Sequence, residues 1–138
     1  MQSPVLGAAT RFATALDAED YDELTRLLSI DCEYVANSGV VVGPEAIIAS
    51  YRKAAEWAKG NIESVTYESS VRIADADLAI VTFADLLEDS GLRHSYSCEQ
   101  SLAMGADGKI RRIVHLEIPG QRDALESFLQ QIGVTTVR

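Results

Sequence analysis

Six side chains able to exchange protons or hydrogen bonds crowd one stretch of this sequence: His94, Tyr96, Cys98, Gln100, His115 and Glu117. Both histidines of the chain and one of its two cysteines lie there. Histidine exchanges a proton near neutral pH, since its ordinary pKa is about 6.5. A carboxylate two residues away on the same strand, about 7 Å at Cα, can orient such a ring. The chemistry suggested is proton transfer, with His115 as acid–base group and Glu117 as its partner. Cys98 lacks an adjacent base and reads as a buried contact residue, not a nucleophile. The two histidines are far apart in sequence, and no His-x-His or His-x-x-x-His pair occurs, so no metal site is expected. Gly-rich phosphate loops are absent and no cofactor is expected.

Those residues need two strands. Leu92 to Met104 and Lys109 to Ile118 carry mixed polar and apolar alternation across the turn Gly105-Ala-Asp-Gly108, a hairpin signal. Parity puts Tyr96, Cys98, Gln100, Leu102 and Met104 on one face. It puts Arg111, Ile113, His115 and Glu117 on one face of the next strand. A bulge would bring Glu99 inward in place of Gln100. Asp85 interrupts the apolar run Ile80 to Leu87. With Val81, Phe83 and Leu87 inward, Asp85 joins them, and burial would raise its pKa as suits a general base. The opposite parity makes it an ordinary outer charge.

Ahead of the hairpin, Leu6, Ala9, Ala13 and Leu16 recur at helical spacing, predicting a helix from Pro4 to Leu16. Asp20 and Glu23 form a capping-box-like start for a second helix, Tyr21 to Leu28. Cys32 to Ala36 reads as a short strand, Val40 to Val42 as another. Pro44 opens a third helix that stops at Gly60. From Asn61 the period becomes two: Val65, Tyr67, Ser69, Val71 and Ile73 alternate with polar residues. That strand, Leu78 to Glu88 and the hairpin make a four-stranded antiparallel meander. Leu125, Phe128, Leu129 and Ile132 predict a last helix closed by Gly133. Residues 1–138 are expected to form one α+β domain. Tyr34, Tyr51, Trp57, Tyr67 and Phe83 are its remaining aromatic candidates for a pocket wall.

Bulk properties narrow the function. The chain has 138 residues, enough to bury about two-thirds of its unfolded surface. Its formal net charge of −9 argues against nucleic acid, which needs clustered Lys and Arg. No apolar run approaches the ~20 residues of a membrane span, and the start lacks a basic then apolar leader, so a cytoplasmic location is expected. Two reduced cysteines are expected instead of a disulfide framework.

The segments Phe12-Ala-Thr-Ala-Leu-Asp-Ala-Glu-Asp-Tyr-Asp-Glu-Leu24, Asp31-Cys-Glu-Tyr-Val35, Gly43-Pro-Glu-Ala-Ile47 and Ala106-Asp-Gly-Lys-Ile-Arg-Arg-Ile113 resemble the nuclear transport factor 2-like superfamily. The SnoaL-like and ketosteroid isomerase-like branches are nearest in pattern, and the resemblance spans nearly the whole chain. It implies a cone-shaped, cystatin-like α+β fold, with N-terminal helices packed on a curved antiparallel sheet that encloses a pocket. The isomerase tyrosine falls on Phe12 and the isomerase base on Ala36 or Asn37. A classical steroid isomerase is thereby excluded. The family's protonated aspartic acid falls near Glu99 or Gln100. The epoxide hydrolase branch needs a tyrosine and asparagine two apart, whereas Tyr34 and Asn37 are three apart, and its Arg-x-Asp motif is missing. The cyclase acid–base position falls on His115, and the dehydratase pattern matches Asp17 with His94 and His115 loosely. The resemblance implies a pocket for a small hydrophobic ligand; the residues expected against it are Tyr34, Tyr51, Trp57, Tyr67, Phe83, Tyr96, Cys98 and Gln100, with His115, Asp85 and Glu117 as the catalytic candidates. A non-catalytic binding module and a homodimer through the outer sheet face, lined by Ser95, Ser97, Ser101 and Ala103, are the alternatives.

Overall fold

A computed structural model describes residues 3–134, so the outermost residues of the expected 1–138 domain lie outside the described ones. Helices α1 (Pro4–Asp17) and α2 (Tyr21–Leu27) are followed by strands β1 (Leu28–Ala36) and β2 (Gly39–Val42). Helix α3 (Pro44–Asn61) leads into the meander β3 (Ser64–Asp75), β4 (Leu78–Asp89), β5 (Leu92–Met104) and β6 (Ile110–Glu117). Helix α4 (Gln121–Gln131) completes the described chain. The six strands form one sheet in the order β2-β1-β6-β5-β4-β3.

The helices start and stop for local reasons. Pro4 and Pro44 occupy first-turn positions, where a missing N–H costs nothing. The Asp20 carboxylate accepts the Glu23 N–H at 3.2 Å, the first half of the expected capping box. The second half is missing, because the Glu23 carboxylate turns to Arg11 and Arg26 instead. Helix α3 continues through Gly60 to Asn61, whose side-chain amide donates to the Trp57 carbonyl. Gly60 therefore does not stop it. Leu28 opens β1 instead of ending α2, and β1 starts four residues before Cys32.

Strands β3 to β6 are antiparallel neighbours, as the period of two predicts. The expectation of a wholly antiparallel sheet is corrected at β1, which pairs parallel with β6. The pairing joins residues some eighty positions apart, so no local pattern announces it. Parity is also corrected at Arg111. Ala103 pairs with Arg112 and Met104 with Ile110, so Arg111 is the extra residue of a bulge. Ile110 and Ile113 are both buried while Arg111 is exposed, off the inner face.

Helix α1 lies across the inner face of the sheet and buries Val5, Ala9, Phe12 and Ala13 against Val81, Leu102 and Ile113. Phe12 is fully buried and meets Tyr51 and Phe83 edge-on, with ring centroids 6.2 and 6.4 Å apart. Such a residue contributes most of what its area gives, and Phe12→Ala costs about 3–5 kcal/mol. A second, smaller core gathers Ile62, Leu87, Phe128 and Leu129 under α4. Between the two cores the sheet keeps a gap, and the candidate site occupies it.

Candidate functional site

The gap is a cavity of about 320 Å³, the lower end of the range for small-molecule pockets. Each wall follows from an element already described. β1 supplies Tyr34, α3 supplies Tyr51 and Trp57, and β3 supplies Tyr67. The period of two on β4 aims Phe83 and Asp85 inward, and the same period on β5 aims Tyr96, Cys98 and Gln100. β6 adds His115. Glu117 does not border the cavity; it lies behind His115 and Tyr96. Gln100 is 4% exposed and Glu99 points outward to Arg72 and Thr82, so no bulge swaps them.

One side of the cavity is a continuous hydrogen-bond network. The Tyr51 hydroxyl donates to Gln100 Oε1 at 2.7 Å. Gln100 Nε2 lies 3.3 Å from the Tyr34 hydroxyl and 3.3 Å from His115 Nδ1. His115 Nε2 meets Glu117 Oε2 in a short contact. Glu117 also accepts from the Tyr96 hydroxyl at 2.7 Å and pairs with Arg122 at 3.3 Å. Burial alone would raise the Glu117 pKa. The bonds from His115 and Tyr96 and the charge of Arg122 outweigh it and leave the pKa lowered. Burial pushes Tyr34 up to about 12, so it remains a hydroxyl donor at neutral pH. Its oxygen accepts from Gln100, and its own proton has no acceptor among the described residues.

The other side is built differently. Asp85 stands between Tyr67 on β3 and Tyr96 on β5, each directly opposite it in the sheet register. It makes no hydrogen bond or ion pair among the described residues. Burial, and then the charge of Asp17, push its pKa up to about 6. Asp17 is itself raised, by burial first and Glu68 besides, although Ser69 donates to it at 2.6 Å. A carboxylate so placed can take a proton from a bound molecule and, with its pKa at about 6, is mostly charged at neutral pH. Burial, then Asp85 and Glu117, push the Cys98 thiol up to about 12, so it stays protonated.

With this geometry in hand, residues 9–113 match the SnoaL-like domain. The chain belongs to that family, within the nuclear transport factor 2-like superfamily. No curated protein matches the sequence. Among solved structures, an epoxide hydrolase of the LEH-like kind from M. tuberculosis superposes with a TM-score of 0.65 at 20% identity, over 92% of both chains. TerC co-crystallized with polyporic acid gives 0.69 at 15% identity, over 93% of this chain and 99% of that one. RV0760c from Mycobacterium tuberculosis, in complex with estradiol-17beta-hemisuccinate, gives 0.64 at 14% identity, over 87% and 98%. At these identities the likeness concerns the fold.

The fold also brings to the cavity residues that the sequence pattern does not announce. Arg122, in the first turn of α4, covers the Tyr96 ring at 5.4 Å and reaches Glu117. It arrives there because Gly120 adopts a left-handed φ of 85° that turns α4 back over β5. The Gln121 side chain then accepts the Ser97 N–H at 2.9 Å and fixes the helix start. His94, the other histidine, stacks on Phe128 at 5.1 Å and does not border the cavity. Among the described residues no cluster of His, Cys, Asp and Glu could hold a metal ion, and no helix is long and apolar enough to cross a membrane.

Proposed function

We propose that this SnoaL-like domain binds a small hydrophobic molecule bearing a carbonyl or hydroxyl group and moves a proton on it without a cofactor. The observation that carries the reading is Asp85, a carboxylate without a hydrogen-bond partner among the described residues, in the wall of an apolar cavity, with a pKa raised to about 6. In the reaction a C–H bond beside a carbonyl breaks, its proton goes to Asp85, and the electron pair moves onto the carbonyl oxygen. The Tyr34 hydroxyl donates to that oxygen. Return of the proton to another carbon completes an isomerisation; its return to a neighbouring hydroxyl, which leaves as water while the electron pair forms a C=C bond, completes a dehydration. The sequence pointed to His115 as the acid–base group. Both of its ring nitrogens are hydrogen-bonded within the protein, so we assign the proton transfer to Asp85 and a positioning role to His115 and Glu117. Polyporic acid and the estradiol ester in the two related structures support an oxygenated hydrophobic ligand. A cytoplasmic setting and a dimer through the outer face, where Leu116 is 38% exposed beside the small residues of β5, complete the proposal. Light scattering on the native protein and on Leu116→Glu tests the dimer: a native monomer removes it.

The test is direct. Neutral aromatic ketones are screened for thermal stabilisation, and the binders are followed by NMR in D2O for deuterium uptake beside the carbonyl. Faster uptake with the native protein and none above background with Asp85→Asn is the expected result. Binding with no accelerated uptake favours the second reading, a binding module. The specific observation on its side is Phe12, which presents no hydroxyl where the isomerase branch carries a tyrosine.

A further inference from the structure

Gln100 is the most deeply buried polar side chain in the cavity wall, and each of its polar atoms is engaged. An amide has one acceptor end and one donor end with two hydrogens. Here the acceptor end takes the Tyr51 hydroxyl, and the donor end has two partners, the Tyr34 oxygen and His115 Nδ1. A nitrogen that accepts from an amide N–H carries no proton. The His115 proton therefore sits on Nε2 and points to Glu117, whose carboxylate needs a donor there. The opposite amide orientation would place its oxygen against Nδ1 and require a proton on both ring nitrogens. It would also turn the Tyr34 hydroxyl proton into the protein and away from the cavity.

We infer that Gln100 is a positioning residue: its amide donates to His115 Nδ1 and so keeps the ring proton on Nε2, toward Glu117, and by the same orientation leaves the Tyr34 proton free for a bound oxygen. The charged and titratable groups around the ring are Glu117 on its own strand, Tyr34 on β1, Tyr51 on α3, Asp85 on β4, Tyr96 and Cys98 on β5, and Arg122 on α4. Of these only Glu117 touches a ring nitrogen, and it favours the proton on Nε2. The functional weight of the inference rests on the reading of Tyr34 above. The tautomer itself does not.

The experiment is nitrogen-15 NMR of the two histidine rings in the full chain without ligand, with His94→Gln used to assign them. At pH 7.5 the native His115 ring is expected to show one bare nitrogen, Nδ1, and one protonated nitrogen, Nε2. Gln100→Glu places an acceptor opposite Nδ1, and both nitrogens then appear protonated. Gln100→Leu, which serves where the carboxylate variant does not fold, removes the amide donor, so the bare Nδ1 signal moves downfield while Glu117 still holds the proton on Nε2. A role in packing alone would lower the melting temperature of Gln100→Leu without moving the ring signals. A native ring protonated on Nδ1, or unchanged ring signals in Gln100→Leu, overturns the inference. Neither result depends on any ligand or turnover, so failure of the proposed reaction leaves the tautomer standing, and the reverse holds too.

Discussion

The two sides of the cavity obey opposite rules. On one side, Tyr51 from α3, Gln100 and Tyr96 on β5, His115 and Glu117 on β6 and Arg122 from α4 satisfy one another in an unbroken chain. Across from them on β4, Asp85 has a raised pKa and no partner to lower it. A satisfied network is rigid and specifies geometry, whereas an unpartnered buried charge is costly and is kept where its reactivity is useful. On the proposed function, the contrast separates the residues that would position a ligand from the residue that would act on it.

Asp85→Asn breaks this contrast most severely. Proton uptake from a bound ketone should fall by about 10²- to 10⁴-fold, the usual worth of a positioned base. The same substitution should stabilise the fold. Folded Asp85 has its pKa at about 6 against an ordinary 3.8, so the native state holds that proton more tightly than the unfolded chain. Stability contributed by this group is therefore present at low pH and lost as pH rises from about 4 to about 6. Above that window the penalty is on the order of 2–3 kcal/mol. Thermal melting at pH 7 should place Asp85→Asn above the native protein by several degrees, and the gap should close at pH 4.

Glu117→Gln disturbs the satisfied side. It leaves Arg122 and His115 facing a neutral group, and since Glu117 is partly exposed the loss should be about 1–2 kcal/mol in urea unfolding. Ketone exchange should fall far less than in Asp85→Asn. An equal fall would erase the distinction between the two walls. Tyr34→Phe sharpens it further: ligand affinity should drop about 5- to 10-fold by calorimetry, the worth of one hydrogen bond, while stability changes little. Arg122→Gln should have the smallest effect, about 0.5 kcal/mol in melting, because its side chain is 46% exposed.

How far these walls could be read in advance follows from how local each cause is. Val81, Phe83, Asp85 and Leu87 alternate along one strand joined to its neighbours by two-residue turns, so a single register choice settles them all. The choice itself was open in the sequence, because the apolar run contains side chains of both parities. Gln100 and His115 lay on legible strands, but their contact needs the pairing of Gln100 with His115 across β5 and β6. The bulge at Arg111 shifts one residue without any glycine or proline to announce it. The parallel pairing of β1 with β6 depends on the closure of the whole chain. Arg122 reaches the site only through the left-handed turn at Gly120, which a Pro-Gly pair signals as a turn but not as a direction. Short-range periodicity was readable; contacts made across elements were not.

The most direct measurement is the titration of Asp85 itself. In protein labelled with carbon-13 at the aspartate carboxyls, assigned with Asp85→Asn, the Asp85 signal is followed from pH 3 to pH 8. A midpoint at about 6 is the predicted result. A midpoint near 4, the ordinary carboxylate range, would mean that the cavity wall does not hold an unpaired base, and the division between the two sides would fall with it.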